Sequence, residues 1–235
     1  MVRAYLYLAV FIPLTFLFSI SAFISTLFDS SGRSYAWHAR LWARLMLALN
    51  LVKITTVGAE HLPPGPVIFM SNHQSNFDIL ALLAAMPRQI HWIAKKELFE
   101  IPVFGPSMRR GGYIPLDRGD GRKALQSMDE AAATIHQGKS VVLFPEGTRT
   151  QDGKLLPFKR GGFILARKAE VPVVPVTING SGRINPAGRI RLYSGDIHIT
   201  LHPPLVAPPD LRRSEAEAWM MAAVRKEIET GLDIR

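Results

Sequence analysis

Val67-Ile68-Phe69-Met70-Ser71-Asn72-His73-Gln74-Ser75-Asn76-Phe77-Asp78-Ile79-Leu80 passes from an apolar run into a polar turn and back into apolar sequence. Val67–Ser71 reads as a short buried strand, and Ile79–Met86 as the start of an apolar helix. A histidine and a carboxylate between two core segments are costly unless partnered or at work. Histidine takes a proton near neutral pH, and an aspartate can fix its tautomer and stabilise the imidazolium. The turn therefore reads as a general base, His73, with its orienting acid, Asp78. On one continuous helix residues five apart diverge by about 140°, so the two meet only if the chain turns between them. Ser75-Asn76-Phe77-Asp78 has the form of a helix start with Ser75 as N-cap, which puts His73 in the loop and Asp78 in the first helical turn. A capped helix with a surface histidine is the simpler alternative, and the turn alone does not choose.

Outward from this stretch, short apolar runs alternate with helical patterns. Strands are predicted at Lys53–Val57, Val67–Ser71, Ile90–Ala94, Tyr113–Leu116, Ser140–Phe144, Val173–Ile178 and Ile197–Leu201, and helices at Ile79–Met86, Gly121–His136, Gly161–Lys168 and Ser214–Gly231. Such alternation predicts an α/β fold, a mostly parallel sheet flanked by helices with room for an antiparallel edge. Ligands of open α/β sheets collect outside the carboxyl ends of strands. Two polar blocks follow strand ends: the His73 turn, and Pro145-Glu146-Gly147-Thr148-Arg149 after Ser140–Phe144. Gly147 lets a ligand approach the backbone, and Arg149 offers a planar fork suited to phosphate. Pairing of Glu146 with Arg149 across the turn is the plain alternative. A third block places Arg118 just past a short strand, where a surface Asp117–Arg118 pair is the alternative. Lys95, Lys96 and Lys159 are weaker anion contacts.

The N-terminus has a different character. From Ala4 to Phe28 no residue is charged, and as a helix this run is about 37 Å long, enough to cross a hydrocarbon core of about 30 Å. Pro13 could kink it. Trp37, Leu41, Trp42, Leu45, Met46 and Leu49 then repeat at helical spacing with Arg40 and Arg44 interleaved, which predicts an interfacial helix with its tryptophans at headgroup depth. The pair could form a hairpin dipping into one leaflet, or the first could span. Residues 1–50 are thus expected to be membrane-anchoring helices and 51–235 the α/β domain.

The formal net charge of +9 calls for an anionic partner. The basic residues Arg3, Arg33, Arg40, Arg44 and Lys53 outnumber Asp29 in the N-terminal region, which suits an anionic membrane surface. Aromatic and basic residues are not interleaved as a nucleic-acid platform requires, so no nucleic acid is expected. The chain holds no cysteine, which excludes thiolate nucleophiles, disulfides and cysteine-based zinc sites. The histidines other than His73 (His38, His61, His91, His136, His198 and His202) have no metal-ligand spacing, and no metal is expected.

Four blocks together resemble the glycerolipid acyltransferase family. Asn72–Asp78 is similar to its NHxSxxD block, Phe144-Pro145-Glu146-Gly147-Thr148-Arg149 to its FPEGTR block, Gly112–Arg118 to its arginine block, and Val171–Val176 to its proline block, all in the family's order. Tyr113-Ile114-Pro115-Leu116 departs from the Phe-Ile that many members carry before Asp-Arg. The resemblance implies transfer of a fatty acyl group from acyl-CoA or acyl carrier protein to the free hydroxyl of lysophosphatidic acid, giving phosphatidic acid in phospholipid biosynthesis. It implies His73 and Asp78 as catalytic, and Arg118, Glu146, Gly147, Thr148, Arg149 and Lys159 as substrate-binding, with no cofactor beyond the thioester cosubstrate. A bacterial inner membrane location fits the same resemblance, and four of the five N-terminal basic residues follow the first helix, which favours a catalytic domain on the cytoplasmic side if that helix spans. Other acceptors, such as lyso-ornithine lipid, glycerol 3-phosphate or a lysophospholipid, suit a similar site, and a non-catalytic phosphate-binding membrane protein is the rival of another class. Phe104, Met108, Leu82 and Leu83 are candidate liners of an acyl channel.

Overall fold

The computed structural model describes residues 2–117, 119 and 121–233. The chain begins with α1 (Val2–Ser25) and α2 (Arg33–Leu49), followed by β1 (Val52–Val57) and β2 (Ile68–Ser71). Next come α3 (Phe77–Ala85), β3 (Ile90–Lys95), α4 (Phe104–Arg110), β4 (Ile114–Leu116) and α5 (Gly121–His136). The remainder is β5 (Ser140–Leu143), α6 (Gly161–Ala169), β6 (Val173–Asn179), α7 (Ser181–Ile184), β7 (Gly195–Leu201) and α8 (Arg213–Gly231).

The seven strands form one sheet in the order β1-β7-β6-β2-β5-β3-β4. Every pairing is parallel except β6 with β7. The antiparallel element is thus wider than a single edge strand: β1 and β7 run together against the other five. Central strands buried on both faces explain the near-continuous apolar runs. Phe69, Val142 and Val174 pack towards α2 and α3. Their neighbours Ile68, Met70, Val141 and Leu143 pack on α5, α6 and α8.

The N-terminal helices fold as a hairpin against α3 and α4. Ala4, Ala43, Met46 and Leu47 join the same apolar cluster as the sheet. Arg40 donates to Met86 O (2.7 Å) and Arg44 to Ala84 O (3.4 Å), so both satisfy carbonyls left open at the end of α3 rather than facing lipid. Trp42 likewise turns inward, packing against Phe11 in a tilted arrangement with ring centroids 5.6 Å apart and donating to Thr15 Oγ1. Trp37 alone of the pair stays exposed, in line with Leu41, Leu45 and Leu49. The helix α1 runs through Pro13 without a break, and it is apolar and long enough to cross a membrane.

Candidate active site

Where β2 ends, Asn72 takes over the ladder with its side chain. Its Nδ2 donates to Ile178 O (2.8 Å) and its Oδ1 accepts from Ile178 N (2.7 Å), holding the exit of β2 against β6. The next residues turn about one carboxylate oxygen. Asp78 Oδ2 accepts from His73 Nδ1 (2.8 Å), Gln74 N (2.7 Å) and Ser75 N (2.8 Å). His73 and Asp78 therefore meet across the Gln74–Phe77 turn. Asp78 is fully buried, whereas the His73 side chain keeps 13% of its exposure. The helix starts one residue later than the sequence suggests: Asn76 is the N-cap, and Ser75 Oγ accepts from Phe77 N (3.2 Å) while donating to Asn185 O (3.0 Å).

β5 delivers the second block beside the first. Phe144 lies flat on the His73 ring, with centroids 3.8 Å apart and planes 6° from parallel, and Trp92 backs Phe144 at 5.5 Å. Glu146 is buried, and its two oxygens accept from His73 N (2.7 Å) and Leu156 N (2.8 Å). Thr150 N donates to His73 O (2.9 Å), so both peptide groups of His73 are tied to this turn. Both oxygens are turned to backbone N–H groups, and no Glu146–Arg149 ion pair forms among the described residues. Burial raises the Glu146 carboxyl above its usual range, partly offset by the two N–H donors.

Gly147 adopts φ +71°, and a Cβ there would lie 2.9 Å from Lys159 Cδ and Cε. Lys159 therefore drapes over the glycine, its own N–H held by Pro145 O (2.8 Å). Thr148 is exposed and Arg149 half-exposed on the same turn. Arg118 lies outside the described residues. Its neighbour Asp117 pairs with Lys96 (2.8 Å), and Lys95 with Glu97 (3.4 Å), so both lysines have carboxylate partners. The Lys96 contact holds the Asp117 carboxyl below the usual range.

An apolar cavity of about 600 Å³ opens next to this turn, between the N-terminal hairpin and α3 and α4. Phe104, Met108 and Leu83 line it as expected; Leu82 does not and belongs to the core. One end reaches Asn76 and Phe77, beside Tyr7, whose ring sits 5.9 Å from Phe77. The other end reaches Tyr35, Ser107 and Tyr113. Sequence reasoning missed Phe144 as the ring beneath His73, although its place at the end of a strand parallel to β2 was the available signal.

The sequence model of the acyltransferase family matches residues 53–179, which hold both polar turns and the His73–Asp78 pair. The human 1-acyl-sn-glycerol-3-phosphate acyltransferase alpha is 35% identical over 198 residues, 80% of this chain and 70% of that one. The chain belongs to the acyltransferase family. The chloroplastic 1-acyl-sn-glycerol-3-phosphate acyltransferases of Brassica napus and Arabidopsis thaliana are 39% and 37% identical over 76% of this chain. This acyltransferase spans about half the length of those plant relatives, 53% and 51%. Its fold matches that of the 1-acyl-sn-glycerophosphate (LPA) acyltransferase PlsC of Thermotoga maritima, with a TM-score of 0.80 at 24% identity over 97% of this chain and 94% of that one.

Proposed function

We propose that this acyltransferase moves a fatty acyl group from a thioester, on coenzyme A or acyl carrier protein, to the free hydroxyl of 1-acyl-sn-glycerol-3-phosphate. The product is phosphatidic acid. The observation that carries this reading is the His73–Asp78 pair, buried at its aspartate end and open at the imidazole, beside an apolar cavity of about 600 Å³. That volume lies within the roughly 300–1,000 Å³ of small-molecule sites. The names and extents of the relatives support the same acceptor.

With Nδ1–H donating to Asp78, the lone pair of His73 sits on Nε2. Nε2 takes the proton of the acceptor hydroxyl as that oxygen attacks the thioester carbonyl. The tetrahedral intermediate collapses by breaking the carbon–sulfur bond, and the imidazolium returns its proton to the departing thiolate. The protein supplies no nucleophile, consistent with a chain that has no cysteine. The acceptor phosphate is held by Arg149 and Lys159 with Arg118, beside Thr148, while Glu146 and Gly147 shape the glycerol site through the backbone. The acyl chain occupies the cavity. No bound cofactor or metal takes part.

Membrane contact belongs to the same proposal. Phe28 is 86% exposed and Trp37 60% exposed, on an apolar surface continued by Leu6, Leu17, Leu27 and Leu49. Such a patch fits a lipid surface. Because acyl-CoA and acyl carrier protein are cytoplasmic, the catalytic domain faces the cytoplasm at a bacterial inner membrane. A panel assay of the purified protein with lysophosphatidate, glycerol 3-phosphate and lyso-ornithine lipid, against each thioester, tests the reading. Lysophosphatidate is expected to be the preferred acceptor; preference for lyso-ornithine lipid would replace it.

A further inference from the structure

β2 has a parallel neighbour on each side, β5 and β6, so three carboxyl ends open on one edge of the sheet. The segment after β5 carries Arg149 and Lys159. The segment after β6, residues 180–194, carries a second set of cations, Arg183, Arg189 and Arg191, on the opposite flank of His73. It is fastened in place rather than loose. Asn185 O accepts from Ser75 Oγ (3.0 Å), Asn185 Nδ2 donates to Arg191 O (3.0 Å), and Asn50 Nδ2 donates to Tyr193 O (2.6 Å).

Arg183 is engaged by Asp233 at 3.5 Å. Arg189 and Arg191 are exposed and form no ion pair with a carboxylate among the described residues. Both line the mouth of the apolar cavity, together with Ile190 and Leu192. The contact of Asn185 with Ser75 places them at the cavity end that adjoins the His73 turn. An acyl chain filling the cavity with its carbonyl at His73 leaves its polar carrier at this mouth.

The reaction brings together two phosphate-bearing substrates, and two such anions in one cation site would repel each other. We propose that Arg189 and Arg191 bind the phosphate of the donor's phosphopantetheine arm, the group that coenzyme A and acyl carrier protein share. The β5-side cations are then left to the acceptor phosphate. This rests on the reading of the cavity as the thioester site, and it divides the two substrates between the two neighbours of β2. Leu192 is buried and anchors the segment, while Arg189, Ile190 and Arg191 are exposed, so both guanidinium groups reach water at the cavity mouth.

The test uses the full chain on vesicles of zwitterionic lipid, with and without anionic lipid. Donors are oleoyl-CoA, oleoyl-acyl carrier protein and oleoyl-N-acetylcysteamine, a thioester without phosphate. In the double variant Arg189→Ala, Arg191→Ala, KM for both phosphate-bearing donors is expected to rise about tenfold or more, the scale of a lost charged hydrogen bond. KM for lysophosphatidate stays where it was, and the loss is absent with the phosphate-free donor. Arg191→Glu should deepen the effect without touching the fold, since the side chain is exposed. An equal loss with the phosphate-free donor, or a raised KM for lysophosphatidate, overturns the assignment. Weaker binding to anionic vesicles with unchanged donor KM assigns the segment to the membrane instead. A wild-type protein inactive with every thioester sinks the proposed function itself, which is a different outcome.

Discussion

His73 is stacked face to face on Phe144, with centroids 3.8 Å apart and planes within 6° of parallel. With Nδ1 held at 2.8 Å by Asp78, the stack removes the remaining rotation of the ring and fixes where Nε2 points. When His73 becomes an imidazolium, the phenyl face adds an attraction of about 0.5–2 kcal/mol.

Phe144→Leu keeps apolar bulk and removes the ring. Its kcat is expected to fall about tenfold, with KM for donor and acceptor little changed. Steady-state kinetics check this, and an unchanged kcat would reduce the stack to packing.

His73→Ala should lower kcat by about 10²–10⁴-fold, the usual range for a lost general base, in a protein that still folds and still binds lipid. Asp78→Asn should lower both activity and melting temperature. Its Oδ2 serves Gln74 N and Ser75 N as well as His73, so the turn loosens with the chemistry. Full activity in His73→Ala would remove it from the mechanism.

Glu146 was expected among substrate-binding residues, yet both its oxygens are held by backbone N–H groups. Glu146→Gln leaves one of those two N–H groups facing an amide NH₂, at about 1–3 kcal/mol. The expected result is a lower kcat with KM for lysophosphatidate unchanged. A raised acceptor KM at constant kcat would instead mean that Glu146 touches the acceptor.

All seven strands were legible as short apolar runs or, in β1 and β7, as polar–apolar alternation bounded by turn residues, and the polar blocks after β2 and β5 fall on one edge of the sheet once those strands run parallel. The helix α4 was not legible. Gly105 and Pro106 sit in its first turn, where proline is tolerated and where a Cβ on residue 105 would lie 2.1 Å from Phe99 O. The inward turn of Trp42 was hidden for another reason: Arg40, Trp42 and Arg44 read as interfacial whether their partners are lipid or, as here, α1 for Trp42 and the end of α3 for the arginines. Local pattern states which side chains are amphipathic, and only tertiary packing states what they meet. The same limit applies to Glu146, whose partners lie 73 and 10 residues away.

His91 is buried, accepts from Gln89 Nε2 (3.2 Å) and donates to Ser140 O (3.2 Å). Gln89 also donates to Gly32 O, which ties the hairpin turn to β3. Burial lowers the His91 pKa below its ordinary value, with Lys139 adding to the shift and the Ser140 carbonyl opposing it. The unfolded chain therefore binds more protons as pH falls through the ordinary histidine range of about 6.5, and stability drops there. One such group contributes a slope of at most about 1.4 kcal/mol per pH unit. Denaturant unfolding at pH 7.5 and 5.5 should show a smaller drop for His91→Gln than for the wild type; equal drops would assign the titration elsewhere.

Both ends of α1 are tied to the rest of the protein. Arg3 donates to Asn50 O (2.8 Å) near its start, and Arg110 donates to Thr26 Oγ1 (3.2 Å) just past its end. These two contacts predict that α1 lies along the flank of the protein with both ends on the same side of a bilayer. Entry of the exposed apolar face into one leaflet is the expected outcome, although the length of α1 alone would permit a crossing. Because the chain has no cysteine, single cysteines at Val2 and Ser31, both exposed, report each end cleanly. In sealed, uniformly oriented vesicles a membrane-impermeant maleimide should label both or neither from a given side. Labelling of one end alone would establish a spanning helix and require the Arg3 and Arg110 contacts to break on insertion.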